Sequence, residues 1–272
     1  MSYSFQPTAT SPEKLKEYSV LLSTVFPESK RFTPEFLNWQ YVQNPNGKVV
    51  GFDAYLNNEL AAHYVTIPVL YAIHGKPTMG LLSLNTATHP NHQGKGLFTQ
   101  LANKTYELAQ ELGYEFVIGV ANANSTPGFL NKLGFRLVGQ LEAKLGIGTI
   151  KPGNAAYLLK SIWTHESREW RIKNPDKQYY IANNIIFTDT DKPLIYAIMG
   201  QSQNVGESPK RIMPLKVWIG LDAGKTINGL FVNIPEKLKP SPLNLIFKRL
   251  NPAISSFQLK DVYFELIDFD AY

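Results

Sequence analysis

Thr88-His89-Pro90-Asn91-His92-Gln93-Gly94-Lys95-Gly96-Leu97-Phe98-Thr99-Gln100-Leu101 joins an apolar run, Leu81 to Ala87, to a segment with helical periodicity. Phe98, Leu101, Ala102, Thr105, Leu108, Ala109 and Leu112 fall on one face of that helix. Gly94 and Gly96 stand where the turn becomes the helix. Without a Cβ, the backbone there can approach a ligand closely. The first amides of a helix have no intrahelical acceptor, and the helix dipole places positive charge beside them. This combination suits an anion, most naturally phosphate.

A second apolar run, Phe116 to Val120, follows Gly113. Then come Asn122-Ala123-Asn124-Ser125, a short helical segment and Leu133-Gly134-Phe135. Over residues 78–140 the chain resembles the acetyl-CoA-binding core of the GNAT superfamily of N-acetyltransferases. The motif of that family is Gln/Arg-x-x-Gly-x-Gly/Ala at a strand-to-helix turn, followed by strand, helix and a closing Leu-Gly-Phe. Gln93, Gly94, Lys95, Gly96, Leu97 and Phe98 fill the six positions, with Phe98 where Gly or Ala is usual. Gly134 ends the short helix in the left-handed conformation and Phe135 opens the next strand.

The resemblance implies an α/β (α+β) fold, a GNAT-like mixed sheet flanked by helices. It implies that two parallel strands part opposite the glycine turn and that the pantetheine arm lies in the opening. Carried onto this sequence, the cofactor residues are Thr86, Ala87, Thr88, Gln93, Gly94, Lys95, Gly96, Leu97, Phe98, Thr99 and Asn124, with Asn85 beside them. Asn124 and Asn122 also suit a turn and helix cap. The family's usual acid toward the leaving thiolate is a tyrosine in the helix before Leu-Gly-Phe; here Leu130 stands at that position, after Phe129. The catalytic residues are therefore left open. His63, Tyr64 and His89 are candidates, each equally readable as a packed or edge side chain.

Composition bounds the rest. The 272 residues are 44% hydrophobic and 18% charged, which describes a folded chain with room for a full core. There is no cysteine, so disulfides, thiolate metal sites and a cysteine nucleophile are excluded. No signal peptide or bilayer-length apolar run is apparent, and the expectation is a cytoplasmic protein. The net charge of +5 is spread along the chain. No basic strip interleaved with aromatics speaks for nucleic acid.

In chain order, Ser11-Pro12-Glu13 and Thr33-Pro34-Glu35 open two helices. Val49–Leu56, Leu60–Ile73 and a strand running through Leu84 to Ala87 form an antiparallel meander with turns at Asn57-Asn58 and His74-Gly75. The glycine turn and its helix cross over to the Phe116 strand, which gives parallel pairing. Residues 136–148 read as one further strand. Lys151-Pro152-Gly153 marks a boundary, dividing the chain into a GNAT-like acyl-CoA-binding domain, 1–150, and a strand-rich C-terminal domain, 151–272.

The second half carries an echo of the first. Trp170-Arg171-Ile172-Lys173-Asn174-Pro175 is similar to Trp39-Gln40-Tyr41-Val42-Gln43-Asn44-Pro45. A degenerate second copy of the same fold is one reading, an unrelated strand domain the other. Val262–Phe269 reads as a strand whose acidic residues line a solvated edge. Gly220-Leu221-Asp222-Ala223-Gly224-Lys225-Thr226 is one residue too short for a P-loop, and reads as a hairpin turn at 222–225. No metal-ligand spacing is present.

The expected function is transfer of an acetyl or other acyl group from CoA, as co-substrate, to a small-molecule or protein amine, without a metal. The alternative is a non-catalytic module that binds acyl-CoA or a partner protein. The second half would supply an acceptor wall or a homodimer contact.

Overall fold

The computed structural model describes residues 2–202, 214–235 and 242–269. Strand β1 (Ser4–Pro7) is followed by helices α1 (Pro12–Val25) and α2 (Pro34–Tyr41). Ser11 and Thr33 cap these helices through their side chains, as the Ser/Thr-Pro-Glu pattern dictates. β2 (Val50–Leu56), β3 (Glu59–Ile73) and β4 (Lys76–Thr88) form the expected antiparallel meander. Its first turn is Asn57-Asn58, with φ of 52° and 67°. α3 (Leu97–Glu111) crosses over to β5 (Phe116–Ala121), which pairs parallel with β4. α4 (Thr126–Lys132) leads to β6 (Arg136–Gln140).

The segment expected as one strand after residue 136 is two. β6 stops at Gln140, and β7 (Glu142–Lys151) departs for a different part of the sheet. The later elements are β8 (Leu159–Ser161), α5 (His165–Ile172), β9 (Tyr179–Ala182), β10 (Ile185–Asp189), β11 (Tyr196–Gln201), β12 (Leu215–Leu221), β13 (Thr226–Asn233), β14 (Asn244–Arg249) and β15 (Val262–Glu265).

Among the described residues the fifteen strands form one mixed sheet. Its first half runs β6-β14-β5-β4-β3-β2, with only β4 and β5 parallel. Its second half runs β13-β7-β12-β11-β10-β9, with only β11 and β12 parallel. Order and direction therefore match position by position. α5 precedes β9 as α2 precedes β2, and β9 turns into β10 at Asn183-Asn184, with φ of 51° and 61°. The C-terminal half thus repeats the first in reduced form. The two copies exchange a strand: β14 lies between β5 and β6, and β7 lies between β12 and β13.

That exchange corrects the reading of residues 222–225 as a hairpin turn. β12 and β13 do not pair with each other, because β7 occupies the place between them. Lys225 donates to Glu142 Oε1 at 2.8 Å and to the Asp222 carbonyl at 3.0 Å. The expected strand at 262–269 is also shorter and drier than anticipated. β15 ends at Glu265, residues 266–268 form a 3-10 turn, and Glu265 and Asp268 are buried because β15 runs between β8 and β12.

The echo between the halves is a contact as well as a resemblance. Trp39 Nε1 donates to the Trp170 carbonyl at 2.8 Å, and Trp170 Nε1 donates to the Trp39 carbonyl at 2.9 Å. Their rings stack with centroids 4.7 Å apart. The largest apolar cluster spans both copies, with Leu22, Phe36, Val65 and Phe116 from one and Ile186, Val217 and Phe264 from the other. A second cluster lies between the opposite face of the first half's sheet and α3, built on Leu97, Leu101, Ala102, Tyr106 and Ala109. The face expected from helical spacing holds at Leu101, Ala102, Thr105 and Ala109, whereas Leu112 at its end is exposed and Leu97 and Tyr106 join the buried side instead.

Candidate functional site

β4 and β5 pair only from Leu81 to Ser83 and from Val117 to Gly119, although β4 continues to Thr88 and β5 to Ala121. The pairing ends where β4 carries a bulge. Its register with β3 shifts, so that Leu84 faces Val65 and Ala87 faces His63. Asn85 sits at the bulge with φ of 44°, a conformation that asparagine tolerates better than most side chains. Beyond the bulge the two strands present backbone edges to one another without joining them.

The glycine turn lies after this opening. Gly94 and Gly96 have φ of 73° and 72°, which requires glycine at little cost and strains other residues. A side chain added at Gly94 would meet no atom of the protein within 4 Å. The first hydrogen bond that involves the helix start runs from Gln100 N–H to the Gly96 carbonyl at 3.2 Å. The amides of Leu97, Phe98 and Thr99 precede it and have no helical acceptor. Gln93, Gly94, Lys95 and Gly96 are exposed. Phe98, the departure from the family motif, turns away from the cradle. Its ring meets Tyr64 edge-on at 5.9 Å and Phe129 at 5.2 Å. It lies so close to Gly128 that a Cβ there would come within 2.9 Å of it.

Thr86 and Thr88 are half-buried along the end of β4, with Ala87 buried between them. Asn124 is exposed in the turn after β5. That turn is held by Asn122, whose Oδ1 accepts from the amides of Asn124 at 3.0 Å and Ser125 at 2.9 Å. His89 is half-buried, and its Nδ1 accepts from the Asn91 amide at 3.3 Å.

His63 and Tyr64 are both fully buried, on opposite faces of β3. His63 Nδ1 lies 2.6 Å from Asp53 Oδ1, and its Nε2 lies 3.0 Å from the Tyr41 hydroxyl. The Tyr64 hydroxyl shares hydrogen bonds with Tyr106 at 2.6 Å and with Ser83 at 2.9 Å. Ser83 belongs to the last β4–β5 pair and is half-buried, so this row of hydroxyls ends at the opening. Burial pushes the Tyr64 phenol up to about 12 and the Tyr106 phenol well above its ordinary value. Both remain hydrogen-bond donors through the neutral range. Leu130, at the family's tyrosine position, offers no donor.

Sequence reasoning named Tyr64 but missed Ser83, Tyr106, Asp53 and Tyr41. No local spacing joins them, since residues from β2, β3, β4, α2 and α3 meet only after the sheet forms.

The second copy shows what an opening of this kind accepts. β11 and β12 pair only from Tyr196 to Ile198 and from Lys216 to Trp218. Beyond that point β15 takes the same edge of β12, with Gly220 opposite Glu265 and Leu221 opposite Phe264. β7 covers the other edge. The chain's own extended segment thus fills the place that remains open between β4 and β5.

Among the described residues no helix is long and apolar enough to cross a membrane, and no group of three or more His, Asp or Glu side chains could hold a metal ion. Residues 7–138 match the family model described as an acetyltransferase (GNAT) domain. Among solved structures, the chain is similar to a conserved Enterococcus faecalis protein of unknown function at 11% identity, TM-score 0.62, over 92% of this chain and 73% of that one. It is similar to a GCN5-related N-acetyltransferase from Anabaena variabilis at 14% identity, TM-score 0.60, over 91% and 73%. Saccharomyces cerevisiae N-myristoyltransferase with bound myristoyl-CoA aligns at 13% identity, TM-score 0.51, over 75% and 66%. A search of curated proteins finds no match.

Proposed function

We propose, from the match of residues 7–138 to the family model described as an acetyltransferase (GNAT) domain, that the protein transfers an acetyl or other acyl group from CoA to an amine. The observation that carries this reading is the conjunction of the open β4–β5 edges with the Gly94–Gly96 turn. An acyl-CoA is an extended, amide-bearing arm joined to a pyrophosphate. The strand edges at residues 84–88 and 120–121 suit the arm as the edge of β12 suits β15. The amides of Leu97 to Thr99 at the start of α3 suit the pyrophosphate.

Chemistry at such a site makes three demands. The amine must lose a proton before or during attack. The thioester oxygen becomes negative and needs donors already aimed at it, a role suited to the amides flanking the Asn85 bulge. The leaving thiolate needs a donor in place of the missing tyrosine. Ser83, backed by Tyr64 and Tyr106, is the group we assign to it. A phenol raised to about 12 will not surrender its proton to a thiolate whose conjugate acid lies near 8.5. It orients the Ser83 hydroxyl, which stabilises the developing charge through a hydrogen bond.

The opposing reading, an acyl-CoA binder without turnover, is separated by one assay. Free CoA thiol is followed during incubation of acetyl-CoA with a panel of small amines, amino sugars and lysine peptides. Amine-dependent release that falls at least tenfold in Ser83→Ala supports the transferase. Tight binding with no release from any panel member favours the binder.

A further inference from the structure

Resting on the CoA reading, we propose that a buried row of side chains from Asp53 to Asn85 is the device that sets the β4 bulge for the acyl end of the donor. Asp53 on β2 accepts from the Tyr18 hydroxyl on α1 at 2.6 Å, from Thr8 at 3.2 Å and from His63 on β3 at 2.6 Å. His63 meets the Tyr41 hydroxyl on α2 at 3.0 Å. The Asn85 Nδ2 donates to that hydroxyl at 2.9 Å and to Gln40 Oε1 at 2.6 Å. The row therefore ties two helices and two strands to one residue of β4.

Its placement argues against a filler role. Tyr18, Tyr41 and His63 are fully buried, Asp53 and Gln40 nearly so, and Asn85 is 9% exposed. Burying six polar side chains is unfavourable unless each is paired, and apolar residues of similar volume would fill the same space at less risk. Here every link has good length, and a carboxylate that can only accept fixes the proton on His63 Nδ1. Tyr18 stacks on the His63 ring at 4.2 Å, which holds the ring plane as well as its edges. The row ends at the one described non-glycine residue of β4 with positive φ. Two acceptors on the Asn85 amide fix its side chain, and thereby the direction of the backbone groups at the mouth of the opening.

These are positioning residues, and they act on one end of the donor only. The nucleotide end belongs to the start of α3, which the row does not touch. Calorimetry with acetyl-CoA and with adenosine 3′,5′-bisphosphate, which lacks the arm and thioester, separates the ends. The variants are Asn85→Gly, which keeps access to positive φ while removing the amide, and Tyr41→Phe, which removes the acceptor. Both should bind the bisphosphate within twofold of wild type and acetyl-CoA about tenfold more weakly. Unchanged acetyl-CoA affinity in Asn85→Gly overturns the proposal, as does an equal loss of both ligands in a variant whose circular dichroism is native. Should Tyr41→Phe fail to fold, Asn85→Gly alone decides, since it leaves the other five side chains in place. A wild type that binds neither ligand removes the donor reading, and this proposal with it.

Discussion

Glu265 shows how far the closed copy differs from an open cleft. Burial pushes its carboxyl up to about 8; Tyr263 opposes the rise through a hydrogen bond, Asp268 and Asp222 add to it, and Lys160 works against it. Arg168 also faces it, and Asp268 is itself raised by burial. A carboxyl raised in the folded state is held more tightly protonated there than in the unfolded chain. Its contribution to stability is present below about pH 4.5 and is lost as pH rises through about 8. At about 1.4 kcal/mol per tenfold difference in proton affinity, the loss amounts to a few kcal/mol. Thermal midpoints between pH 5 and 9 should fall more steeply in wild type than in Glu265→Gln; parallel curves would show that the carboxyl is solvated. Such a residue is illegible from sequence, where Glu265 and Asp268 read as a wet edge together with Asp270, which lies outside the described residues. Gly94 and Gly96 were legible because a positive φ is a local demand that only the residue itself must meet.

At the scale of elements, α2 and α5 are the clearest trace of the duplication. Each delivers a tryptophan to the other's backbone, and each is followed by an Asn whose Oδ1 accepts from the amide two residues on, Asn46 at 3.0 Å and Asp176 at 2.9 Å. The sequence echo at Trp39 and Trp170 was visible because that turn needs the same residues twice. Trp39→Phe keeps a stacked ring and loses one hydrogen bond, which should cost about 1 kcal/mol in urea denaturation. Trp39→Ala should cost about 3–5 kcal/mol. Equal effects of the two substitutions would mean that the stack contributes little. The exchange of β7 and β14 could not be read ahead of the structure. Any alternating apolar strand satisfies either half's edge, and only the finished sheet decides which strand lies where.

The whole molecule reads as one cooperative body, because the first half's sheet is completed by β14 and the second's by β7. A fragment of residues 1–150 would leave β5 and β6 without the strand between them. It should be insoluble or lack native circular dichroism, whereas a soluble, cooperatively melting fragment would show that the halves fold separately. The β2–β3–β4 meander, the parallel β4–β5 pair and the crossover helix of the first half were legible, since they are built from short local connections. The closure of the second opening by β15 was not, because it joins residues 220–221 to 264–265 across two intervening strands, β13 and β14, and their connections.

The central claim is that the opening beside Gly94 and Gly96 binds an acyl-CoA, and calorimetry of acetyl-CoA with wild type and Gly96→Glu tests it most directly. The substitution brings a carboxylate and a strained backbone into the turn, where φ is 72°. Saturable binding by wild type, reduced at least a hundredfold in a folded Gly96→Glu, is the predicted result. Equal affinity in the two proteins, or none in wild type for acetyl-CoA or a longer acyl-CoA, would contradict the account.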